Sequence, residues 1–216
     1  MNLYFDILIF FCYFVVMNNI EYLRAQEERQ ITLNEWCEAY YSCNIVEFPQ
    51  DQTELLHQIA NMTIELQNNS ERVNRRVNEQ GNDTEEFLVQ AIRNTLNCEP
   101  KRLGTAYPDI KCSSTNLEYP LIADSKIRKN LKVSDSLRIF YTSTPKEKTV
   151  LRKSIATSYH LLFLFEHDGN NTLNGDYRVV DMCGFKYTSK GRIQEGSYND
   201  ILKHGKFIAE RITGNL

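Results

Sequence analysis

The chain has 216 residues, of which 42% are hydrophobic and 25% charged, and this composition is typical of a globular protein. Its formal net charge of -3 excludes a strong overall attraction to polyanions. Acidic residues dominate positions 1–99 and basic residues positions 100–216. We attribute this asymmetry to two halves of one domain that attract each other, with a basic face for an anionic partner as the alternative.

The N-terminus carries an apolar run, LYFDILIFFCYFVVM, at residues 3–17. The run is short for a membrane span, which needs about 20 residues, and it is typical of a secretory signal peptide. We predict a signal peptide over residues 1–25, cleaved after Ala25, and a single disulfide-containing domain over 26–216. The mature protein would then be secreted and extracellular, without a membrane span. An uncleaved signal anchor and a buried apolar element of the fold are the alternatives.

Four Asn-x-Ser/Thr triplets agree with a secretory route. Their predicted glycosylation acceptors are Asn61, Asn68, Asn82 and Asn170. From Asp51 onward, apolar residues recur with helical period and predict a helix over about 51–80. The predicted apolar stripe consists of Leu55, Ile59, Met62, Leu66, Val73 and Val77. At about 100° per residue, Asn61 and Asn68 face away from the apolar stripe, where a bulky sugar must be attached. A second helix is predicted over about 83–97, with Asn82 in the turn between the two helices.

Five cysteines remain after removal of the signal peptide and are disulfide candidates in an oxidising compartment. They are Cys37, Cys43, Cys98, Cys112 and Cys183. We predict a Cys98–Cys112 bridge that closes the loop after the helices, and the sequence leaves the other pairings open. An odd thiol could join two chains into a disulfide-linked homodimer. The absence of Cys-x-x-Cys and the scattered histidines predict no metal and no cofactor.

The C-terminal half changes from helical to alternating periodicity. Segments 136–142, 158–167 and 176–188 are rich in aromatic and β-branched residues and predict strands. The turn-rich sequence DGNNTLNG joins the last two into an antiparallel hairpin, and residues 198–213 predict a final helix. The predicted fold is α+β, with the N-terminal helices packed on a small antiparallel sheet over about 136–188 and a C-terminal helix.

No glycine-rich phosphate loop, nucleophile elbow or zinc-binding helix is present in the sequence. The only catalytic candidates are three histidines with weak support: His160, His167 and His204. His167 stands between Glu166 and Asp168, a triplet that is more often a polar strand end than acid–base machinery. A basic run with Lys126, Arg128 and Lys129 could bind an anionic glycan or a nucleic acid, although a solvated surface is commoner.

These features predict a secreted N-glycosylated protein that acts by binding. Its expected partners are glycan-binding receptors, lectins or antibodies, which would gain affinity from several weak sugar contacts. In kind the chain resembles the secreted glycoprotein antigens that parasites release into a host, which implies immunomodulation. A secreted hydrolase such as a nuclease and a polyanion-binding secreted module are the alternatives, and an enzyme is the less favoured interpretation.

Overall fold

A computed structural model describes residues 44–70, 77–102, 109–129, 131, 157–167, 172–184 and 207–213. In these ranges the chain forms two α-helices and one six-stranded sheet. The helices are α1 (Thr53–Asn68) and α2 (Val77–Leu96). The strands are β1 (Lys101–Arg102), β2 (Ile110–Cys112), β3 (Leu121–Arg128), β4 (Tyr159–His167), β5 (Leu173–Asp181) and β6 (Phe207–Arg211).

The strands follow one another across the sheet in chain order. β3 and β4 run parallel, in a register from Leu121 opposite Tyr159 to Arg128 opposite Glu166. The other neighbouring pairs are antiparallel. The sheet is therefore mixed, and a parallel pair needs a crossover connection rather than a tight turn. The residues that connect β3 to β4, 132–156, lie outside the described part of the chain.

The central strands are buried on both faces. Alternate residues of β4, such as Leu161 and Phe163, join the buried residues of both helices in one core. The intervening residues Leu162 and Leu164 are buried as well, which explains why β4 is a nearly continuous apolar run instead of an alternating one. The helices contact each other through a hydrogen bond of 2.5 Å from Thr84 Oγ1 to Gln67 Oε1.

The predicted fold is wrong in its sheet and in its C-terminal element. The sheet is mixed and has six strands within the described residues, because β1, β2 and β3 precede the predicted sheet and β6 follows it. Phe207–Arg211 is a strand paired with β5 and not part of a helix over 198–213. A five-residue segment gains ladder hydrogen bonds at a sheet edge, whereas an isolated helix of that length is unstable in water. The predicted strand 136–142 lies outside the described residues.

The helix boundaries also differ from the prediction of a break at Gly81 and Asn82. α2 begins at Val77 and continues through both positions, since one glycine inside a helix costs only about 1 kcal/mol and the buried face beyond it offsets that cost. Neither of the two described helices is both long enough and apolar enough to cross a membrane. The predicted signal peptide, residues 1–25, lies outside the described residues.

Candidate active site

Two carboxylates face each other across the antiparallel strands β2 and β3. Ile110 is paired with Ala123, so Asp109, immediately before β2, lies opposite Asp124. Side chains alternate between the two faces of a strand, so Asp124 and Lys126 share the face that Asp109 also occupies. The hairpin register thereby assembles two acids and one base from parts of the chain that are separated in sequence.

The three side chains are in direct contact. The Lys126 ammonium Nζ lies 2.6 Å from Asp124 Oδ1 and 3.7 Å from Asp109 Oδ2. The side chains of Asp124 and Asp109 are 10% and 19% exposed, and that of Lys126 is 31% exposed. The carboxylates are thus largely withdrawn from water, while the lysine remains accessible from one side.

The charge of this cluster is not balanced. Burial, a hydrogen bond with Asp124 and repulsion by its carboxylate raise the pKa of Asp109 to about 8, against the opposing effect of Lys126. Burial lowers the pKa of Lys126, but the two carboxylates more than offset this and raise it overall. Two acids next to one cation therefore retain a proton near neutral pH, which is the behaviour of a site that has room for a second positive charge.

A third carboxylate lies close to the cluster on α2. Glu85 contributes to the raised pKa of Asp109 through its negative charge. The Arg102 guanidinium Nε forms an ion pair of 2.6 Å with Glu85 Oε1, and this hydrogen bond raises the pKa of Arg102. Arg102 therefore neutralises Glu85 beside the site and leaves Lys126 as the cation in contact with Asp109 and Asp124.

The donor set fits a hard divalent cation. Among the described residues, no group of three or more His, Cys, Asp or Glu side chains is placed to hold a metal. Magnesium, however, is commonly bound by one or two carboxylates, with water and substrate phosphates completing its coordination. Asp109 and Asp124 provide that number of ligands, and such an ion would take the place of the proton that Asp109 retains.

The predicted catalytic histidines differ in position. In the register of β3 and β4, His160 is opposite Ile122, on the sheet face that carries Asp124. His160 is fully buried in β4 with its Nε2 3.0 Å from Ser158 Oγ, and burial lowers its pKa to about 3. His167 is half-buried at the end of β4, and His204 lies outside the described residues. Of the predicted basic residues, Lys126 is in the cluster, Arg128 follows on the same strand face, and Lys129 is exposed just beyond β3.

Sequence reasoning missed Asp109 and Asp124, although a signal was present. The strand sequence LIADSKI places an acid and a lysine on either side of Ser125, in a segment whose other residues are apolar. Charged groups in a buried strand are costly unless they are paired. The acid and the lysine in this strand therefore indicate a functional site more strongly than the basic run that includes Lys126.

The predicted glycan acceptors have different environments. Asn61 is exposed on α1, Asn82 is exposed within α2, and Asn170 lies outside the described residues. The Asn68 amide Nδ2 donates to Leu173 O at 2.9 Å, and its Oδ1 accepts from Leu173 N at 3.0 Å. The Asn68 amide therefore fastens α1 to β5. Glycosylation at these positions stays a prediction from the sequence pattern.

The predicted Cys98–Cys112 pair does lie together, but as two thiols that share a hydrogen bond. Burial raises the pKa of both thiols, which disfavours the reactive thiolate. The Cys183 thiol donates to Ile45 O at 3.3 Å. Cys37 and Cys43 lie outside the described residues.

Comparison with known proteins assigns the chain to a family. The model of the Type II restriction enzyme MjaV family matches residues 24–201, which include all members of the acid–lysine cluster. No curated protein matches the chain.

Proposed function

This chain belongs to the Type II restriction enzyme MjaV family, and we propose on that premise that it cleaves DNA with Asp109, Asp124 and Lys126 as its active site. The observation that supports this assignment is the contact of one lysine with two nearly buried carboxylates on adjacent strands. Clusters of acids whose pKa values are shifted by burial and by each other are characteristic of catalytic sites.

The family overturns the interpretation as a secreted glycoprotein antigen, because a restriction enzyme acts on DNA within the cell. The predicted extracellular location, the immunomodulatory role and the partnership with glycan-binding receptors, lectins or antibodies are wrong for the same reason. Of the two alternatives, only the nuclease shares a reaction with this family. That alternative relied on His160, His167 and His204, whereas the proposed site uses the carboxylate cluster.

The reaction requires a water positioned against a phosphodiester and positive charge where the phosphate oxygens become more negative. The Lys126 ammonium has three donors and is held by Asp124, so it presents a fixed positive charge to a non-bridging phosphate oxygen. Asp109 and Asp124 would hold the divalent cation. Bound there, such an ion supplies a more acidic water and neutralises phosphate charge.

Each residue has a distinct task in this assignment. Asp124 contacts Lys126 and thereby orients the ammonium, in addition to supplying an oxygen ligand. Asp109 holds a proton in the metal-free protein, so it keeps the cluster from carrying two bare negative charges until a cation is present. The rigid pairing of β3 with both β2 and β4 keeps these groups in place.

The test is cleavage of plasmid and bacteriophage DNA by the purified chain in the presence of Mg²⁺. We expect discrete fragments from the wild type, and a rate at least about a hundredfold lower for Asp124→Asn and for Lys126→Met. Arg93→Gln is the matched control, because Arg93 is exposed on α2 and paired with Glu99. Cleavage by both site variants at the rate of the control would refute the assignment.

A further inference from the structure

Arg128 extends the charged row of β3 beyond Lys126. Residues 124, 126 and 128 alternate along the strand and therefore share one face. Two residues along a strand span about 7 Å, so the Arg128 backbone lies one side-chain position farther from the carboxylates. Its charge is close enough to oppose the raised pKa of Lys126.

The hydrogen bonds of the described residues do not explain why an arginine occupies position 128. Its Nε is buried and has no hydrogen-bond partner among the described residues. Glu166 is its neighbour across the parallel pair β3–β4, yet the two side chains form no ion pair in the described part of the chain. A buried donor without a partner lowers the stability of the fold, so stability alone does not account for an arginine here.

We propose that Arg128 is a DNA-binding residue whose guanidinium holds a phosphate of the cleaved strand beside the scissile phosphate. This assignment rests on the proposed function, and it adds a substrate contact to the cluster of Asp109, Asp124 and Lys126. Arginine suits this task because its planar fork matches phosphate oxygens bidentately. Because Arg128 as a whole is only half-buried, part of its side chain remains within reach of such a phosphate.

The position along the strand supports a phosphate next to the reacting one. Lys126 and the carboxylates occupy the position for the scissile phosphate, and Arg128 lies farther out on the same face. The burial of β3 decreases in that direction, from buried residues at Leu121 to Ser125 to half-buried residues at Lys126 to Arg128. A DNA strand laid along this face would therefore meet Arg128 at the more open end.

The experiment measures binding of a labelled, mixed-sequence DNA duplex in metal-free buffer at several salt concentrations, together with Mg²⁺-dependent cleavage and thermal unfolding. We expect Arg128→Gln to weaken binding by roughly 10- to 100-fold. Loss of one phosphate contact should also reduce the slope of log K against log salt by about 0.9. Arg128→Lys should restore the slope but not the full cleavage rate, since it keeps the charge and loses the fork.

A purely structural role predicts the opposite pattern. Arg128→Gln should then unfold at a lower temperature and bind DNA with the slope of the Arg93→Gln control, and that result would overturn the proposal. The proposal predicts a melting temperature close to that of the wild type, because the buried Nε of Arg128 has no hydrogen bond that the substitution could remove. A wild type that binds DNA but never cleaves it would refute the proposed function. Because binding is measured without metal, the comparison of Arg128→Gln with the wild type would still decide whether Arg128 contacts DNA.

Discussion

Replacing Asp109 with asparagine is expected to stabilise the metal-free protein while it abolishes cleavage. In the folded protein the pKa of Asp109 is raised from 3.8 to about 8 by burial and by Asp124. At neutral pH the carboxyl is therefore protonated when folded and ionised when unfolded. That ionisation stabilises the unfolded state, and Asp109→Asn removes this stabilisation. The asparagine amide can replace the protonated carboxyl as a donor to Asp124.

The magnitude follows from proton linkage. A group whose pKa is raised in the folded state stabilises the fold fully below its unfolded pKa, and that contribution is lost as pH rises through the folded pKa. Each pH unit in this window corresponds to about 1.4 kcal/mol. Asp109→Asn should thus match the wild type near pH 4 and exceed it by at most about 4 kcal/mol at pH 7.

Urea unfolding with a chelator present, from about pH 4 to about pH 8, measures this gap. Arg93→Gln serves as the control, and its difference from the wild type should not depend on pH in this way. In the presence of Mg²⁺ the wild type should gain stability by mass action, and Asp109→Asn should gain much less. An asparagine variant that is less stable than the wild type at neutral pH, or a gap that does not grow with pH, would refute the reasoning.

Three further substitutions test the scaffold by urea unfolding. Burial lowers the pKa of His160 from 6.5 to about 3, so the free energy of unfolding of the wild type should fall by about 1.4 kcal/mol per pH unit below pH 6.5. His160→Gln should lose that pH dependence, and an unchanged slope would contradict the burial argument. Asn68→Ala leaves the Leu173 N–H and C=O without their partner and should cost about 1–3 kcal/mol, a loss that Asn61→Ala should not share. Gly175→Ala places its Cβ 3.5 Å from Arg211 Nη2, an ordinary contact distance, but the backbone φ of 98° should cost about 1–2 kcal/mol; a neutral result would mean that the β5 backbone relaxes at this position.

The sequence pattern located individual elements better than it located their arrangement. The predicted strand over 158–167 overlaps β4, because its aromatic and aliphatic residues form a short apolar run bounded by turn residues. The pattern did not indicate that β4 pairs in parallel with β3, since that contact depends on a connection and not on local periodicity. Strands as short as β2, with three residues, carry too little periodicity to be identified alone.

The face of α1 illustrates a different error. The predicted stripe contained Leu55, Met62 and Leu66, which are only half-buried, whereas Leu56 and Thr63 are buried. Thr63 can occupy the core because its hydroxyl donates to Ile59 O at 2.8 Å within the helix. A pattern of apolar residues alone cannot recognise a polar side chain that satisfies itself in this way.

Two of the three residues of the proposed active site were predictable. Asp124 and Lys126 are two residues apart in an apolar strand, so their shared face follows from strand geometry alone. Asp109 was not predictable as their neighbour, because its position opposite Asp124 depends on the register of β2 against β3. Register is set by the turn and by which face is buried, and here the strand involved is too short to show either.

Solvent exposure increases along β3 from its carboxylate to its two cations. The strand is buried through Ser125 and half-buried from Lys126 onward, so the carboxylate of Asp124 lies deeper than the side chains of Lys126 and Arg128. An approaching polyanion therefore meets positive charge first and the carboxylates last. If both carboxylates lay at the solvent-exposed end instead, they would repel an approaching phosphate before it reached Lys126 or Arg128. The burial that shields the two carboxylates from an approaching phosphate also raises the pKa of Asp109. The arrangement that we propose for DNA binding is therefore also the reason why the metal-free protein should lose stability as the pH rises.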